Sequence, residues 1–108
     1  MVEYALSLDS IFASLADPTR RDILRRVSDH ELSVSEIAKP YDFTFSAVSK
    51  HLKVLEKAGL IIKRRKGKEQ MVSLAPRAMA DALEYIQWYG QFVEHRYDSL
   101  EKYLNKED

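Results

Sequence analysis

The chain has 108 residues, 45% of them hydrophobic and 31% charged, enough for one modest core and ordinary for a soluble globular protein. Cysteine is absent, which excludes disulfides, thiolate metal sites and cysteine nucleophiles together. A formal net charge of zero hides an uneven distribution: residues 1–45 carry five basic and eight acidic side chains, residues 46–70 eight and two, and residues 71–108 four and seven, for nets of −3, +6 and −3. A basic block set between acidic ones is the electrostatic footprint of a phosphate-binding surface. The opening stretch MVEYALSLDS carries acids where a signal peptide carries Lys or Arg, and no apolar run approaches a membrane span. A cytoplasmic protein with no membrane partner is expected.

In chain order, the spacing of Leu8, Ile11, Phe12 and Leu15 predicts a helix over 4–15. Asp17-Pro18 ends it and starts a second over 18–28, which buries Ile23, Leu24 and Val27 and exposes Arg20, Arg21, Arg25 and Arg26. Ser33 and Glu36 have the spacing of a capping box, and Leu32 and Ile37 that of a hydrophobic staple, so a third, short helix runs from 34 to Pro40. Tyr41-Asp42-Phe43 makes a tight connection to Thr44, the expected cap of a fourth helix over 45–58. Gly59 then stands where a left-handed residue ends a helix, with Leu60 as its apolar contact. Residues 60–65 and 70–74 read as strands around the turn Lys66-Gly67-Lys68-Glu69, and Pro76 separates this hairpin from a long helix over 77–104. The fold expected is mainly α with a small β-hairpin. Its order is α-α-α-α-β-β-α: a single winged helix-turn-helix domain with the helix-turn-helix at 34–58 and the wing at 60–74.

On a wheel of ~100° per residue, Val48, Leu52 and Leu55 of the fourth helix face the core while Ser46, Lys50, Lys53 and Lys57 face away, with Ser49 at the edge of the polar stripe. A recognition helix needs this division. Residues near its N-terminus approach base edges and longer cations reach phosphates. An idle surface helix could carry the same lysines, but the hairpin adds Lys63, Arg64, Arg65, Lys66 and Lys68, opposed locally by Glu69 alone. So many cations on one hairpin repel one another unless something negative arrives, and contact with phosphate or the minor groove supplies it. Gly67 lets the tip turn and approach a backbone closely. Double-stranded DNA is the partner these residues point to.

The phrases LADPTRRDIL at 15–24 and FSAVSKHLKVLEKAGLI at 45–61, with the basic wing after them, resemble the ArsR-type winged-helix repressors over residues 11–76, about three fifths of the chain. The resemblance implies a homodimeric repressor whose first and last helices form the subunit interface, which assigns Leu8, Ile11 and Phe12 to it. It also implies that Thr44, Ser46, Ser49, Lys50 and His51 lie in or beside the reading surface. Two positions depart from the family pattern. Phe45 stands where a polar, base-reading residue is common, leaving either contact with a thymine methyl or packing. Asp42 replaces a turn glycine, and Asp tolerates the left-handed region the turn is expected to use. His51 lies at the margin of the core stripe, where a hydrogen-bonded structural role and a DNA contact are both open.

Thiolate-sensing relatives carry cysteines on the third helix; here Ser33 and Ser35 stand there, and hydroxyls are poor ligands for soft metals. Glu94, His95, Asp98 and Glu101 on the last helix read better as a solvated face than as a metal set, so neither metal nor cofactor is assigned. Spanning ~40 Å at 1.5 Å per residue, that helix is too long for one small domain to cover. Leu83, Ile86, Tyr89, Val93, Tyr97, Leu100 and Leu104 form one stripe, and Tyr85, Trp88, Phe92 and Tyr103 form another, more than 90° away. One stripe can pack on its own domain and the other needs a partner subunit; Tyr85, Trp88, Tyr89, Phe92, Val93, Tyr97 and Leu100 are the residues of this helix assigned to the interface. Six of the eleven aromatic residues sit on this helix, which makes it a large homodimer interface; a small apolar effector lining the cluster is the other use they allow. Gly90 permits close helix approach or a kink. A two-fold dimer implies a palindromic operator with half-sites a helical turn or more apart.

An enzyme is disfavoured, because the three histidines lie scattered at 30, 51 and 95 and the three glycines form no phosphate loop. The nearer rival is a winged-helix protein–protein interaction module without specific DNA binding, since fold alone does not secure DNA binding. Such a module has no need of Lys50, Lys53 and Lys57 continuing into a basic wing.

Overall fold

The computed structural model describes residues 2–106, with side chains from Ser7 onward. The elements are α1 Val2–Ser14, α2 Pro18–Asp29, β1 Leu32–Ser33, α3 Val34–Ala38, α4 Phe45–Lys57, β2 Ile61–Lys66, β3 Glu69–Leu74 and α5 Pro76–Lys106. The helix boundaries follow from local chemistry. Asp17 accepts hydrogen bonds from the backbone N–H groups of Thr19 (2.8 Å) and Arg20 (3.0 Å) with Pro18 in the first turn, so α2 begins there. The Arg20 N–H is the main reason the Asp17 carboxyl is held below its usual range. In α3 the capping box closes in both directions: Ser33 Oγ accepts from the Glu36 N–H at 3.1 Å, and Glu36 accepts from the Ser33 N–H at 3.0 Å. The Schellman pair that ends α4 runs from the Gly59 N–H to Glu56 O (2.9 Å) and the Leu60 N–H to Leu55 O (3.0 Å). Gly59 has φ +77°, and a Cβ there would meet Ala78 only at ordinary contact distance, so the requirement for glycine is conformational rather than spatial.

One strand was not expected. β1 pairs antiparallel with β3 through Leu32↔Val72 and Ser33↔Met71, making a three-stranded sheet in the order β1-β3-β2. Two residues carry no period-2 signal of their own; the partner strand creates this element. The hairpin follows the expected pairing from Ile61↔Leu74 to Lys66↔Glu69, leaving Gly67-Lys68 as the loop with Gly67 at φ +62°. Two-residue loops that place glycine first have the twist that strand pairs require.

The core gathers Ile23, Leu24 and Val27 of α2, Val48, Leu52 and Leu55 of α4, and Ile37, Leu60 and Val72 around Ile11 of α1. Three expectations are corrected here. Ile11 is 0% exposed and Leu8 is buried, both enclosed by their own protomer, so neither offers surface to a partner; Phe12 stays half-buried against Tyr85, ring centres 5.7 Å apart. The α2 arginines are not simply exposed: Arg20 donates to Ser14 O (2.7 Å) and Ala13 O (3.3 Å), and Arg26 to Ile37 O and Glu36 O (both 2.9 Å). They satisfy the open carbonyls at the ends of α1 and α3 and lock α2 against both helices. Asp42 does not adopt the left-handed conformation, since positive φ is confined to glycines among the described residues. The connection closes instead through Tyr41, whose ring lies under Arg26 (5.5 Å) and whose hydroxyl donates to Asp22.

The last helix departs furthest from expectation. Only Ala78 and Ala82 of α5 are buried, with Met79 partly so, and every described residue from Leu83 to Lys106 is exposed except Gly90, which is intermediate. Both stripes therefore stay open, where one of them was expected to pack on its own domain. The reason is geometric: α1 covers only the first turns of α5, with Gly59 beside Ala78, and the 31 residues of α5 run on past them. The radius of gyration, 18.6 Å, records the projection, against about 13 Å for a compact domain of this length.

Candidate nucleic-acid interface

The first residue of α4 lies where the chain leaves the Tyr41–Thr44 connection, and Thr44 fixes its direction. The Thr44 hydroxyl accepts from the Ala47 N–H at 3.1 Å, so its role is to cap the helix. Beyond the cap, Phe45, Ser46 and Lys50 are exposed and Ser49 is half-buried, while Val48, Leu52 and Leu55 point into the core as the wheel requires. Phe45, Ser49 and Lys53, successive turns of one flank, line a cleft of about 320 Å³ whose opposite wall is the hairpin, with Lys63, Lys68, Glu69 and Gln70. The structure thus brings the N-terminal turns of α4 and the wing together around one cationic groove. Lys57, a turn further on, shares its surroundings with Ser7, Arg77 and Asp81 at the α1–α5 junction and lies outside the groove.

The wing cations divide into two groups. Arg64 donates to both carboxylate oxygens of Glu31, from Nε at 2.8 Å and Nη2 at 2.5 Å. Lys63, its side chain only 15% exposed, lies 3.4 Å from Glu56 of α4. These two tie β2 to the α2–β1 connection and to α4, so Glu69 is not the sole counter-charge that the local sequence suggested. Glu31 and Glu56 stand 33 and 7 residues from their partners, and no local pattern could have named the first. Arg65, Lys66, Lys68, Lys50 and Lys53 are exposed and make no ion pair among the described residues. The self-repulsion of the wing is therefore reduced at its base and retained at its tip.

His51 makes the hydrogen-bonded contact that its structural reading calls for. Half-buried, it places Nδ1 3.3 Å from Arg20 Nη1 and its ring edge-on to Phe43 at 6.2 Å, well round the helix from Lys50 and Lys53. An always-charged guanidinium donates there, so the facing nitrogen is the acceptor. Through this contact the end of α1, held by Arg20, is linked to α4.

The Glu31–Arg64 tether makes a checkable prediction. The hydrogen bonds from Arg64 hold the Glu31 carboxyl below its usual range. A carboxylate with a depressed folded value stabilises above its unfolded value, ~4.3, and loses that contribution as pH falls through the depressed one. Amide protection factors of β2 and β3 in the wild type are accordingly constant from neutral pH down to about 5, whereas Glu31→Ala lowers them at neutral pH and leaves those of α4 unchanged. Unchanged wing protection in Glu31→Ala would show that the tether orders nothing.

A comparison of the sequence with protein families matches residues 17–63 to the model described as "Bacterial regulatory protein, arsR family". Among solved structures, the ArsR family transcriptional regulator RHA00566 superposes with a TM-score of 0.77 at 31% identity, covering 83% of this chain and 93% of that one. The chain belongs to the ArsR family. This ArsR-family chain is also 29% identical over 86 residues to the transcriptional repressor SdpR of Bacillus subtilis, covering 80% of this chain and 92% of SdpR. At 23% identity and a TM-score of 0.63 it shares its fold with the homodimeric winged helix-turn-helix DNA-binding domain of Mb0332 from Mycobacterium bovis, covering 83% and 81% of the two chains. Membership makes the protein a DNA-binding transcriptional regulator rather than an enzyme. The third-helix position used by thiolate sensors does not fit a soft metal here: Ser33 Oγ is engaged in the capping box, and Ser35 offers only a hydroxyl. No helix among the described residues is long and apolar enough to cross a membrane.

Proposed function

We propose that this regulator is a cytoplasmic, homodimeric repressor that binds a palindromic operator, with the N-terminal turns of α4 in the major groove and the wing on the flanking backbone. One observation carries the reading: Lys53 of α4 and Lys68 of the wing line one groove, and Lys50, Arg65 and Lys66 stand exposed on the same two elements, all five without an ion pair among the described residues, while the cations that order the wing are already paired. Ser46 and Ser49 sit at the helix end that approaches base edges, and Lys50 and Lys53 reach phosphates. Lys57 lies at the C-terminal end of α4, beyond the groove. Lys63 and Arg64 act chiefly by holding the wing. The name of SdpR supports repression, and that of Mb0332 a homodimer.

The dimer has its own physical support. Trp88, Tyr89, Phe92, Val93, Tyr97 and Leu100 are each close to half exposed or more, a concentration of exposed large apolar side chains of the kind that marks an interaction surface. Trp88 meets Tyr89 and Phe92 edge-on at 4.8 and 5.1 Å, and Tyr85 meets Tyr89 at 5.3 Å, so the face is an ordered aromatic ladder before any partner arrives. A second copy of α5 covers it, joined by Phe12. Two-fold symmetry then sets half-site centres one helical turn apart, ~34–36 Å, or a multiple of it.

Fluorescence-anisotropy titration tests the reading, using the duplex upstream of the regulator's own gene and a scrambled duplex at two salt concentrations. The expected result is affinity for the upstream duplex alone in the range of ~10⁻⁸ M or tighter. It should weaken by roughly 10³-fold or more between about 50 and 200 mM salt. Equal, salt-insensitive binding to both duplexes would return the chain to the protein-interaction reading.

A further inference from the structure

We infer that Phe45 reads the methyl group of a thymine in each half-site, which makes it a specificity-determining residue. The inference rests on the placement of α4 in the major groove proposed above. Phe45 is the first residue of α4 and is 59% exposed, although it is one of the largest apolar side chains in the molecule. Packing, the other use the sequence allowed for it, is not what the structure gives it. Its aromatic neighbours in the chain all find rings: Tyr41 stacks on Phe43 at 4.9 Å, and Phe43 meets His51 edge-on. Among the described residues, Phe45 meets none.

The surroundings narrow what can meet that ring. Along one flank of α4 the side chains run Phe45, Ser49, Lys53, one helical turn apart, so the order from the helix start is apolar, hydroxyl, cation. Lys63 and Lys68 face them across the groove. An apolar ring bordered by lysines suits a ligand that is polyanionic overall and apolar at one spot. Duplex DNA matches this, because the C5-methyl of thymine is the only apolar group on a major-groove base edge. The cations engage phosphates to either side while the ring covers the methyl, excluding water from it. A polar residue at this position would instead seek a hydrogen bond, so Phe45 moves the preference of this regulator toward thymine at one position.

The test begins with in vitro selection from a randomised duplex library using the wild-type protein. Each thymine of the enriched sequence is then replaced singly by deoxyuridine, which removes the methyl and keeps base pairing. The expected result is one position per half-site where uracil weakens wild-type binding by roughly five- to tenfold, and where Phe45→Ala is indifferent to the same change. Because Phe45 is exposed, Phe45→Ala should melt with the wild type, and a double-mutant cycle isolates the ring–methyl coupling. The inference is overturned if no thymine shows methyl dependence, or if the dependence persists in Phe45→Ala. Loss of affinity in Phe45→Ala without any methyl dependence would identify a wedge between base pairs and also overturn it. Failure to enrich any sequence would overturn the sequence-specific reading itself, and this inference with it.

Discussion

Reversing two charges, Lys50→Glu together with Arg65→Glu, is expected to abolish operator binding while leaving the fold and the dimer intact. Neither side chain is paired within the protomer, so the substitution removes no intramolecular contact and strands no partner. In a dimer the pair is present twice. Four phosphate-facing cations become anions, and each lost phosphate contact takes about 1 from the slope of log K against log salt. Affinity should fall by roughly 10³-fold or more, with most of the salt dependence lost. Arg64→Ala is the informative contrast. That guanidinium is already bound to Glu31, so its loss should weaken DNA binding far less and act mainly on wing order. Anisotropy titration with circular dichroism as the folding control checks both variants. Affinity of the double reversal within threefold of wild type would remove α4 and the wing tip from the DNA surface.

The second large effect is expected at α5. Trp88→Glu with Phe92→Glu places charges in the middle of the aromatic ladder, where Trp88 is 56% and Phe92 52% exposed in the protomer. Each ring buries about 150–250 Å² when covered, and truncating a buried Phe or Trp typically costs ~3–5 kcal/mol. With the variant side chains present twice across a two-fold interface, the dimer should dissociate at micromolar concentration. Sedimentation velocity should report a monomer, and operator binding should fall to that of a single half-site. The winged body should stay folded, because its core uses only Ala78, Ala82 and the partly buried Met79 from this helix. Gln91→Glu, on the polar side of α5, is the control and should remain dimeric. A variant that sediments as the wild-type dimer would place the interface elsewhere.

Legibility differed by element for definite reasons. The caps at Asp17, Ser33 and Thr44 and the glycine stop at Gly59 are short-range devices whose donor and acceptor lie within five residues, so spacing alone located α2, α3 and α4. The core side of α4 followed equally from its period, since Val48, Leu52 and Leu55 have one buried face to occupy. From that, the exposed cationic face opposite was legible too, as was the basic hairpin. What escaped was non-local. β1 exists only against β3, and the counter-charge of Arg64 is 33 residues away. The arginines of α2 looked like solvent charges because the carbonyls they cap belong to other helices.

Two decisions belonged to the tertiary structure alone. A stripe of apolar residues in a sequence says that a face will be covered, not by what. Hence Ile11, expected at the subunit interface, lies in the protomer's own core, whereas both stripes of α5, of which one was expected to pack inside the protomer, stand open. Likewise, the position of Phe45 at the start of α4 could not tell packing from exposure. That outcome depends on where the Tyr41–Phe43 stack and the wing end, leaving the ring at the mouth of the cationic groove. Periodicity and capping act within a few residues of chain and so determined the elements and their inner faces. Which faces a protomer covers with its own residues and which it leaves open depends on how far each element reaches once packed, and only the folded arrangement decided it.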